Sequence, residues 1–431
     1  MSFNPPCGGE NDRLVSESFG DNRTEAQRDR DRVLYSGEFA RLAEITQVVS
    51  PTLGYAFHNR MTHSLKVGQV ARRLTEYLLR DNPSLPDGLL DPDRSEAVGL
   101  AHDLGHPPFG HVAEHELNDL TQEAKLLDGF EGNAQSFRIV ARLAASDAPG
   151  DDPNADGPGL NWTRGTLCGI IKYPWGKTSA PPGKERKWGH YDSEASVFEW
   201  ARVGQVSQAK SLTADLMDWA DDITYAIHDL IDFFRAGRIP LDRLDSKGAT
   251  AEWQRLFEFS LNAGPWKGRK PADFRSALDP LFEYLQFNSE YRYLDSGEHR
   301  RALYTLTSYL ITHAVSGTKL TCADGTWRLV VDAKVRELMD AMKQFIWFYV
   351  ILSPDLAIQQ AGQRVAIQNV FRSALKFANE KKEYSLFGMT IEGRLKRTND
   401  DLGRTRIVTD FVAGLTEAEV MRLHRLLSGA A

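Results

Sequence analysis

The sequence of 431 residues predicts a mostly α-helical fold with long loops and one small β-hairpin. Apolar residues recur at three- and four-residue steps through most of the chain, which is the spacing of one face of an α-helix. The segment TKLTCADGTWRLVVD at 318–332 instead alternates β-branched residues around Asp-Gly, a pattern typical of a β-hairpin. No alternation of strands with helices indicates a doubly wound sheet.

Successive segments support this fold class in order along the chain. Residues 1–25 are polar and are predicted to form a flexible N-terminal arm. Helices are predicted over 24–45, 67–78, 95–104, 111–125, 131–146 and 193–236. Loops rich in Pro, Gly and Asp are predicted at 82–93, 146–160 and 173–192. We therefore predict a core over 26–236 and a C-terminal helical region over 237–431 that packs on it.

The charge balance limits the classes of ligand. The formal net charge is -7 and the isoelectric point is near 5.9, whereas a dedicated nucleic-acid binder usually has a clear basic excess. Any phosphate-bearing ligand must therefore be held by local cations or by a metal, because the overall field of the protein repels it.

The remaining composition predicts a protein of the reducing cytoplasm. Its three cysteines, Cys7, Cys168 and Cys322, form no CxxC pair, so we expect neither a disulfide framework nor a thiolate zinc site. The longest apolar run, Phe345 to Leu352, has eight residues, whereas a membrane-spanning helix needs about 20. The N-terminus lacks the basic and then apolar pattern of a signal peptide. No membrane partner is expected.

Histidine is unevenly distributed and gives the first indication of function. Six of the eleven histidines lie between residues 58 and 115, namely His58, His63, His102, His106, His111 and His115. The segment HDLGHPPFGHVAEHE at 102–116 combines four of them with two glutamates and one aspartate around a Gly-Pro-Pro-Phe-Gly turn. So much titratable chemistry beside Pro-Pro-Phe favours a functional site over an ordinary surface loop.

A metal is one explanation for the buried members of this group. His102 and Asp103 end an apolar helix, and His63 begins a helix whose apolar face includes Val67 one turn later. Asp221 lies in an otherwise apolar helix, and an unpaired buried charge is costly. Imidazole and carboxylate suit Mn, Mg, Fe or Zn. Each residue taken alone has an ordinary alternative, a hydrogen-bonded core histidine or a solvated or capping aspartate.

Several motifs resemble one family. The chain is similar to the HD-domain deoxynucleoside triphosphate (dNTP) triphosphohydrolases, the bacterial dGTPase family, in the order that this family shows. The matching segments are Thr62-His63, HDLGHPPFGH at 102–111, FEGNAQ at 130–135, MDWADDITYAIHD at 217–229, and stretches at 29–48, 162–174 and 406–416. The resemblance implies an HD-domain helical fold. It also implies one divalent metal ion per subunit, with ligands His63, His102, Asp103 and Asp221. Asp222 is the neighbouring alternative to Asp221.

The resemblance also assigns catalytic and substrate-binding residues. His111 and Glu114, at i and i+3, would act in the acid-base or nucleophilic step. His106 would contact phosphate or support the neighbouring ligands. The implied substrate-binding residues are Gln47 for the nucleoside, Arg60, Lys172, Tyr173 and Lys187 for the triphosphate, and Tyr225 and Asp229 for the sugar 3'-hydroxyl. Lys184 and Arg186 compete with Lys187 for its role.

The implied activity is metal-dependent hydrolysis of dGTP, or of dNTPs more broadly, to deoxynucleoside and tripolyphosphate. A homo-oligomer such as a hexamer is implied, and single-stranded DNA stays open as an effector. Two alternatives are kept. One is an HD-domain phosphohydrolase of another nucleotide phosphate ester, such as a nucleoside monophosphate. The other is a regulator that senses nucleotides or single-stranded DNA through a degenerate metal site.

Overall fold

The computed structural model confirms a mostly α-helical fold with one small antiparallel hairpin. The structure describes residues 9–18, 20–47, 59–144, 157–244, 251–262, 264–288, 291–323, 325–380 and 387–429. Of the segments named above, His58, Cys7 and most of the loop at 146–160 lie outside these residues.

The first half of the described chain contains ten α-helices. They are α1 Glu25–Tyr35, α2 Gly37–Arg41, α3 Arg60–Asp81, α4 Pro92–Ala101, α5 His111–Glu123, α6 Gly132–Arg138, α7 Arg164–Gly169, α8 Ala195–Ala201, α9 Leu212–Thr224 and α10 Leu230–Arg235. Two π-helical turns, Ile139–Leu143 and Tyr225–Asp229, extend α6 and join α9 to α10. Short 3₁₀ turns cover Leu42–Glu44, Lys177–Ser179 and Asp192–Glu194.

The second half is also helical except for the hairpin. Its described elements are α11 Ala251–Leu261, α12 Pro271–Ala277, α13 Asp279–Tyr284, α14 Gly297–Ser316, β1 Thr318–Ala323, β2 Thr326–Val331, α15 Ala333–Ile346, α16 Pro354–Glu380, α17 Gly388–Arg397, α18 Asp401–Ala413 and α19 Glu417–Leu427. A third π-helical turn, Trp347–Ile351, follows α15, and 3₁₀ turns cover Leu241–Arg243 and Gly264–Trp266. Thr318 pairs with Val331 at the open end of the hairpin.

The largest apolar core is built around α3 and α9. Asn59 caps α3 by accepting a hydrogen bond from the Thr62 amide, and the part of α3 in the apolar core begins at Val67. The same core continues into α14 and α15, so its side chains come from both sides of residue 236. The division into a core over 26–236 and a C-terminal region stays a prediction. Within the predicted N-terminal arm, Arg13 is buried, and its guanidinium lies 2.6 Å from Asp29 Oδ1.

A second contact between the two halves positions α5. Its buried face, with Ala113, Leu117 and Leu120, packs in one cluster with α16, α18 and α19. The helix that begins at His111 is therefore held by the C-terminal part of the chain.

The turn before α5 depends on two glycines. A Cβ on Gly105 would lie 2.2 Å from the Gly132 carbonyl oxygen, so no side chain fits there. Gly110 has φ +61°, and a Cβ there would lie 2.9 Å from Arg60 Nη2. The Pro-Pro-Phe turn is thus folded tightly against α3 and α6. No helix in the described part of the chain is long and apolar enough to cross a lipid bilayer.

Candidate active site

Two histidines and an aspartate from three helices meet below the turn. The ligand atoms of His63, His102 and Asp221 all lie within 4.8 Å of one another. His63 Nε2 is 3.2 Å from Asp221 Oδ1, and the same carboxylate oxygen is 3.7 Å from His102 Nε2. Both imidazoles are buried. The family resemblance implied that these three residues share a metal ion, and the structure brings them together.

The hydrogen bonding of His102 prepares it as a ligand. Its Nδ1 lies 2.8 Å from the Gly99 carbonyl oxygen, which can only accept, so the ring proton lies on Nδ1. Nε2 then carries a lone pair, and it has no hydrogen-bond partner among the described residues. A cation placed between this buried lone pair and the carboxylates that it faces would be bound by both. This is the arrangement in which a carbonyl orients a metal-binding histidine.

Asp103 stands at the edge of this group. Its Oδ1 is 3.4 Å from His102 Nε2 and 3.0 Å from His106 Nδ1, while Oδ2 accepts a hydrogen bond from Arg60 at 2.5 Å. Burial alone would raise the pKa of Asp103, but the charges of His102, His106 and Arg60 outweigh it and hold the pKa well below its usual value. Burial and the Arg60 charge lower the pKa of His106 to about 4.

The structure distinguishes the two neighbouring aspartates. Asp221 lies beside the histidines, and its Oδ2 accepts a hydrogen bond from Lys172 at 3.1 Å. Asp222 faces the C-terminal half, where it accepts hydrogen bonds from Lys343 at 2.6 Å and from Arg336 at 3.2 Å. Of the two, Asp221 is therefore the aspartate that lies within reach of a shared ion with His63 and His102, and its role as a ligand stays a prediction.

A second group of titratable side chains lies at the start of α5. His111 Nδ1 is 2.7 Å from Glu114 Oε2, and Lys187 donates a 2.7 Å hydrogen bond to the other oxygen of Glu114. Lys187 Nζ is also 3.1 Å from Glu131. Burial would raise the pKa of Glu114, but the His111 hydrogen bond and the Lys187 charge hold it well below its usual value. His111 itself is largely exposed.

Both groups border one cavity of about 480 Å³. The predicted site residues in its lining are Gln47, Arg60, His102, Asp103, His106, His111, Lys172, Tyr173, Lys187, Asp221 and Tyr225. His63 and Glu114 lie directly behind this lining. Among the three competing cations, Lys187 reaches the cavity. Lys184 instead lies 5.5 Å from the centre of the Trp175 ring.

Asp229, like His63 and Glu114, is a predicted site residue outside the lining of the cavity. It was expected on one face with Asp221 and Tyr225, at steps of four residues along an α-helix. The segment Tyr225–Asp229 is instead a π-turn, which changes the angular step between residues. Asp229 is buried, and burial together with the Asp232 carboxylate raises its pKa well above the usual value.

One whole wall of the cavity was not predicted from the sequence. This wall comes from the C-terminal half and contains Lys343, Trp347, Ile351, Leu356, Gln359, Gln360 and Gln363. Its signal was the apolar run from 345 to 352, which ends in the π-turn Trp347–Ile351. From the sequence alone, the length of this run shows only that it is too short to span a membrane. Asn133, within the FEGNAQ motif, also lines the cavity.

Two family models match the chain in the regions that form this site. The HD domain model matches residues 60–151, which include α3 and the histidine-rich turn. The phosphohydrolase-associated domain model matches residues 329–426, which include the C-terminal wall. The fold and these matches define the chain as an HD-domain phosphohydrolase.

Full-length relatives make the family more specific. A deoxyguanosinetriphosphate triphosphohydrolase-like protein of Corynebacterium efficiens is 34% identical, over 96% of this chain and 94% of its own length. A protein of the same name from Streptomyces coelicolor is 33% identical over 94% and 93%, and one from Vibrio vulnificus strain YJ016 is 26% identical over 94% and 93%. The chain belongs to this deoxyguanosinetriphosphate triphosphohydrolase-like family.

Proposed function

We propose that this phosphohydrolase cleaves a deoxynucleoside triphosphate, dGTP or dNTPs more broadly, into the deoxynucleoside and tripolyphosphate. The observation that carries the proposal is the chemistry of one end of the cavity. Imidazole and carboxylate groups suited to a metal lie there beside Arg60, Lys172 and Lys187. These cations match the charge of a triphosphate, in a protein whose overall charge is negative.

The residues present fit a single divalent ion. His63, His102, Asp103 and Asp221 would hold it through two imidazole nitrogens and two carboxylates, a donor set suited to Mn, Mg, Fe or Zn. The lone pair of His102 Nε2, without a hydrogen-bond partner among the described atoms, supports this assignment. A bound ion would supply Lewis acidity for the α-phosphate and the attacking water.

We assign proton transfer in the reaction to His111. Glu114 Oε2 accepts a hydrogen bond from His111 Nδ1, so in the neutral imidazole the ring proton lies on Nδ1. His111 Nε2 is then available to take a proton from water. In the reaction the water oxygen would bond to the α-phosphorus, and the bond from phosphorus to O5' would break. The leaving O5' would take up a proton. Glu114 would stabilise the imidazolium in between.

The negatively charged oxygens of the triphosphate would be bound by Arg60, Lys172 and Lys187. Arg60 offers a planar fork, and Lys172 and Lys187 offer point charges that now contact carboxylates. His106 would lie close to the same phosphate. Binding oxygens that gain charge in the transition state would lower the barrier.

The rest of the cavity would hold the nucleoside. Tyr225 and Trp347 are aromatic residues of its lining. Gln47 Oε1 is buried and has no hydrogen-bond partner among the described atoms, so a base or sugar donor would satisfy it. A cavity of about 480 Å³ has the size of sites that bind small molecules. Asp229 would reach the sugar only through Tyr225.

Three further properties belong to the proposal. A cytoplasmic location rests on the composition, and assembly into a homo-oligomer such as a hexamer and single-stranded DNA as an effector rest on the family resemblance. The net negative charge weakens binding to DNA at physiological salt unless basic side chains cluster locally.

Product analysis tests the proposed function. The purified protein is incubated with each of the four dNTPs, singly and mixed, with Mg or Mn, and the products are separated by chromatography. Tripolyphosphate with deoxynucleoside supports the proposal, and activity only with mixed dNTPs adds nucleotide activation. Orthophosphate from a nucleoside monophosphate supports the first alternative. Nucleotide binding with no turnover under any condition supports a regulator.

A further inference from the structure

A second cavity, of about 550 Å³, is lined in part by Leu126 and Asp128, from the segment that joins α5 to α6. It shares no lining residue with the candidate active site. Five arginines line it, and we call it the arginine cavity. They are Arg138, Arg142, Arg394, Arg397 and Arg406, from α6, the π-turn that follows it, α17 and α18.

The arginines are held in place by buried acids. Asp410 contacts Arg138 and Arg394, each at 2.8 Å, and Glu194 contacts Arg138 at 2.5 Å and Arg142 at 3.1 Å. These contacts fix the direction of the guanidinium planes.

Positive charge nevertheless prevails at the cavity wall. Asp128 is the one carboxylate among the described lining residues, against five arginines, and the buried Asp410 and Glu194 contact three of these arginines. In a protein with a net charge of -7, such a local excess is a place where an anion is attracted.

Arg406 gives an independent indication of a ligand. Its side chain is buried, with Nη2 donating to Asp128 at 2.5 Å and to the Gly129 carbonyl at 3.0 Å. The guanidinium carbon lies 3.7 Å from the centre of the Tyr191 ring. Nη1 has no acceptor in the described part of the chain, and a buried donor without an acceptor is costly. An oxygen-rich anion would supply that acceptor.

The backbone contributes to the same wall. Leu402 and Gly403, in the first turn of α18, line the cavity. This helix has 13 residues, and the amino end of its dipole carries a partial positive charge, which the Asp400 carboxylate partly offsets by accepting a hydrogen bond from the Gly403 amide at 2.7 Å.

We propose that the arginine cavity binds a phosphate chain, carried by a nucleoside triphosphate or by an inorganic polyphosphate. Arginine forks form paired hydrogen bonds to phosphate oxygens, and several forks on one wall match a chain of phosphates better than a carboxylate. The size of the cavity falls in the range of small-molecule sites.

The position of the arginine cavity relative to the candidate active site explains why two anion-binding events are expected. The Tyr191 ring under Arg406 bonds through its hydroxyl to the Glu131 carbonyl at 3.2 Å, and Glu131 contacts Lys187 of the candidate active site at 3.1 Å. One layer of buried side chains therefore separates two sets of cations. Each set can hold its own anion.

Calorimetric titration of the full-length protein with inorganic tripolyphosphate, without metal, tests this proposal. Arg142→Ala and Arg397→Ala are suitable variants because both side chains are partly exposed, so their loss leaves the core intact. Lys396→Ala is the matched control. Lys396 is the neighbour of Arg397 on α17, pairs with Glu392 and does not line the cavity.

The expected result is two binding events in the wild type. One of them should weaken by about tenfold or more in each arginine variant, the size of losing a charge-assisted hydrogen bond, and stay unchanged in Lys396→Ala. Arginine variants that titrate like the wild type would overturn the proposal. So would a Lys396→Ala variant that loses as much, since this indicates general charge attraction.

A second titration distinguishes the two sources of the phosphate chain. It uses a non-hydrolysable deoxynucleoside triphosphate in place of tripolyphosphate. If the event that depends on Arg397 is tighter with the nucleotide, the base and sugar also contact the cavity, and a nucleotide is the occupant. If it is equal or weaker, the phosphate chain alone is recognised. Both outcomes require that Arg397→Ala weakens this binding event. If it does not, the proposal is wrong for either source.

Discussion

Arg60 Nη1 lies 2.5 Å from Asp103 Oδ2, and both side chains are buried at the floor of the candidate active site. The sequence assigned Arg60 to phosphate and Asp103 to a metal, without relating the two. The contact orients the carboxylate so that its other oxygen faces His102 Nε2 at 3.4 Å. Arg60 is therefore placed to position a proposed metal ligand and to bind the phosphate beside it.

Arg60→Gln is predicted to weaken metal binding as well as substrate binding. Without the guanidinium, the Asp103 carboxylate loses its orientation, and loss of such a supporting contact costs about 10- to 100-fold in metal affinity or activity. Metal titration of the variant, followed by turnover across metal concentrations, measures both effects. Metal affinity equal to that of the wild type would show that Asp103 does not need Arg60.

Asp103→Ala and His111→Ala are predicted to separate metal binding from catalysis. Asp103→Ala should lose both bound metal and activity, because the proposed site loses one of its two carboxylates. His111→Ala should keep the metal and lose about a hundredfold or more in turnover, the usual contribution of a general acid or base. Metal analysis and turnover of both variants provide the measurement.

His115→Ala is the control for these two variants. His115 lies on α5 one turn after His111, is exposed and does not line the cavity. Its replacement should change neither metal content nor turnover. If His111→Ala also lost the metal, the assignment of the metal ligands would be wrong, because His111 would then be one of them.

The sequence predicted what depends on local spacing. Helical periodicity identified most helices, the Asp-Gly signal identified the hairpin, and the histidine-rich segment led to one wall of the cavity. The apolar neighbours of His63 and Asp221 indicated that both side chains face the protein interior. His63 is buried and Asp221 is half-buried, on helices α3 and α9, which pack together. These features are encoded within a few residues of one another.

Features that depend on long-range packing were missed. The C-terminal wall around Trp347 reaches the cavity because α15 packs against the π-turn Tyr225–Asp229 and α16 packs against α5, which no local pattern reveals. The π-turn at Tyr225–Asp229 follows from tertiary packing as well, since its sequence is an ordinary amphipathic helix. The arginine cavity combines residues about 260 positions apart, so its charges could not be grouped from sequence.

Tyr225→Ala is predicted to relax discrimination between deoxyribose and ribose. The ring lines the cavity beside Asp221, where it would pack on the sugar and exclude a 2'-hydroxyl. Removing it should lower the ratio of kcat/KM for dGTP over GTP by about tenfold, the range expected when a pocket stops rejecting one small group. Parallel assays with the two nucleotides measure this ratio.

Tyr225→Phe is the matched variant, because it keeps the ring and removes only the hydroxyl. It should retain the preference for the deoxynucleotide. Comparable turnover of GTP and dGTP by the wild type would contradict the role assigned to the ring, and so would equal losses of preference in both variants.

Asp410→Asn is predicted to destabilise the fold in a way that depends on pH. Asp410 is buried between Arg138 and Arg394, and burial alone would raise its pKa, but the two arginines hold the pKa well below its usual value. A buried pair broken on one side costs about 3 kcal/mol in the free energy of unfolding. At pH 7 the variant should therefore unfold at a clearly lower urea concentration than the wild type.

The sign of the pH effect follows from the lowered pKa of Asp410. The stabilisation is fully present above the pKa of the unfolded state, about 4, and is lost as pH falls below that value towards the pKa of the folded state. The stability difference between wild type and Asp410→Asn should stay constant from about pH 8 to 5 and shrink below about pH 4. Asp401→Asn is the control, because Asp401 lies on the same helix but is 82% exposed. It should change stability little at any pH, whereas a difference for Asp410→Asn that does not shrink in acid would show that its carboxylate is not the source.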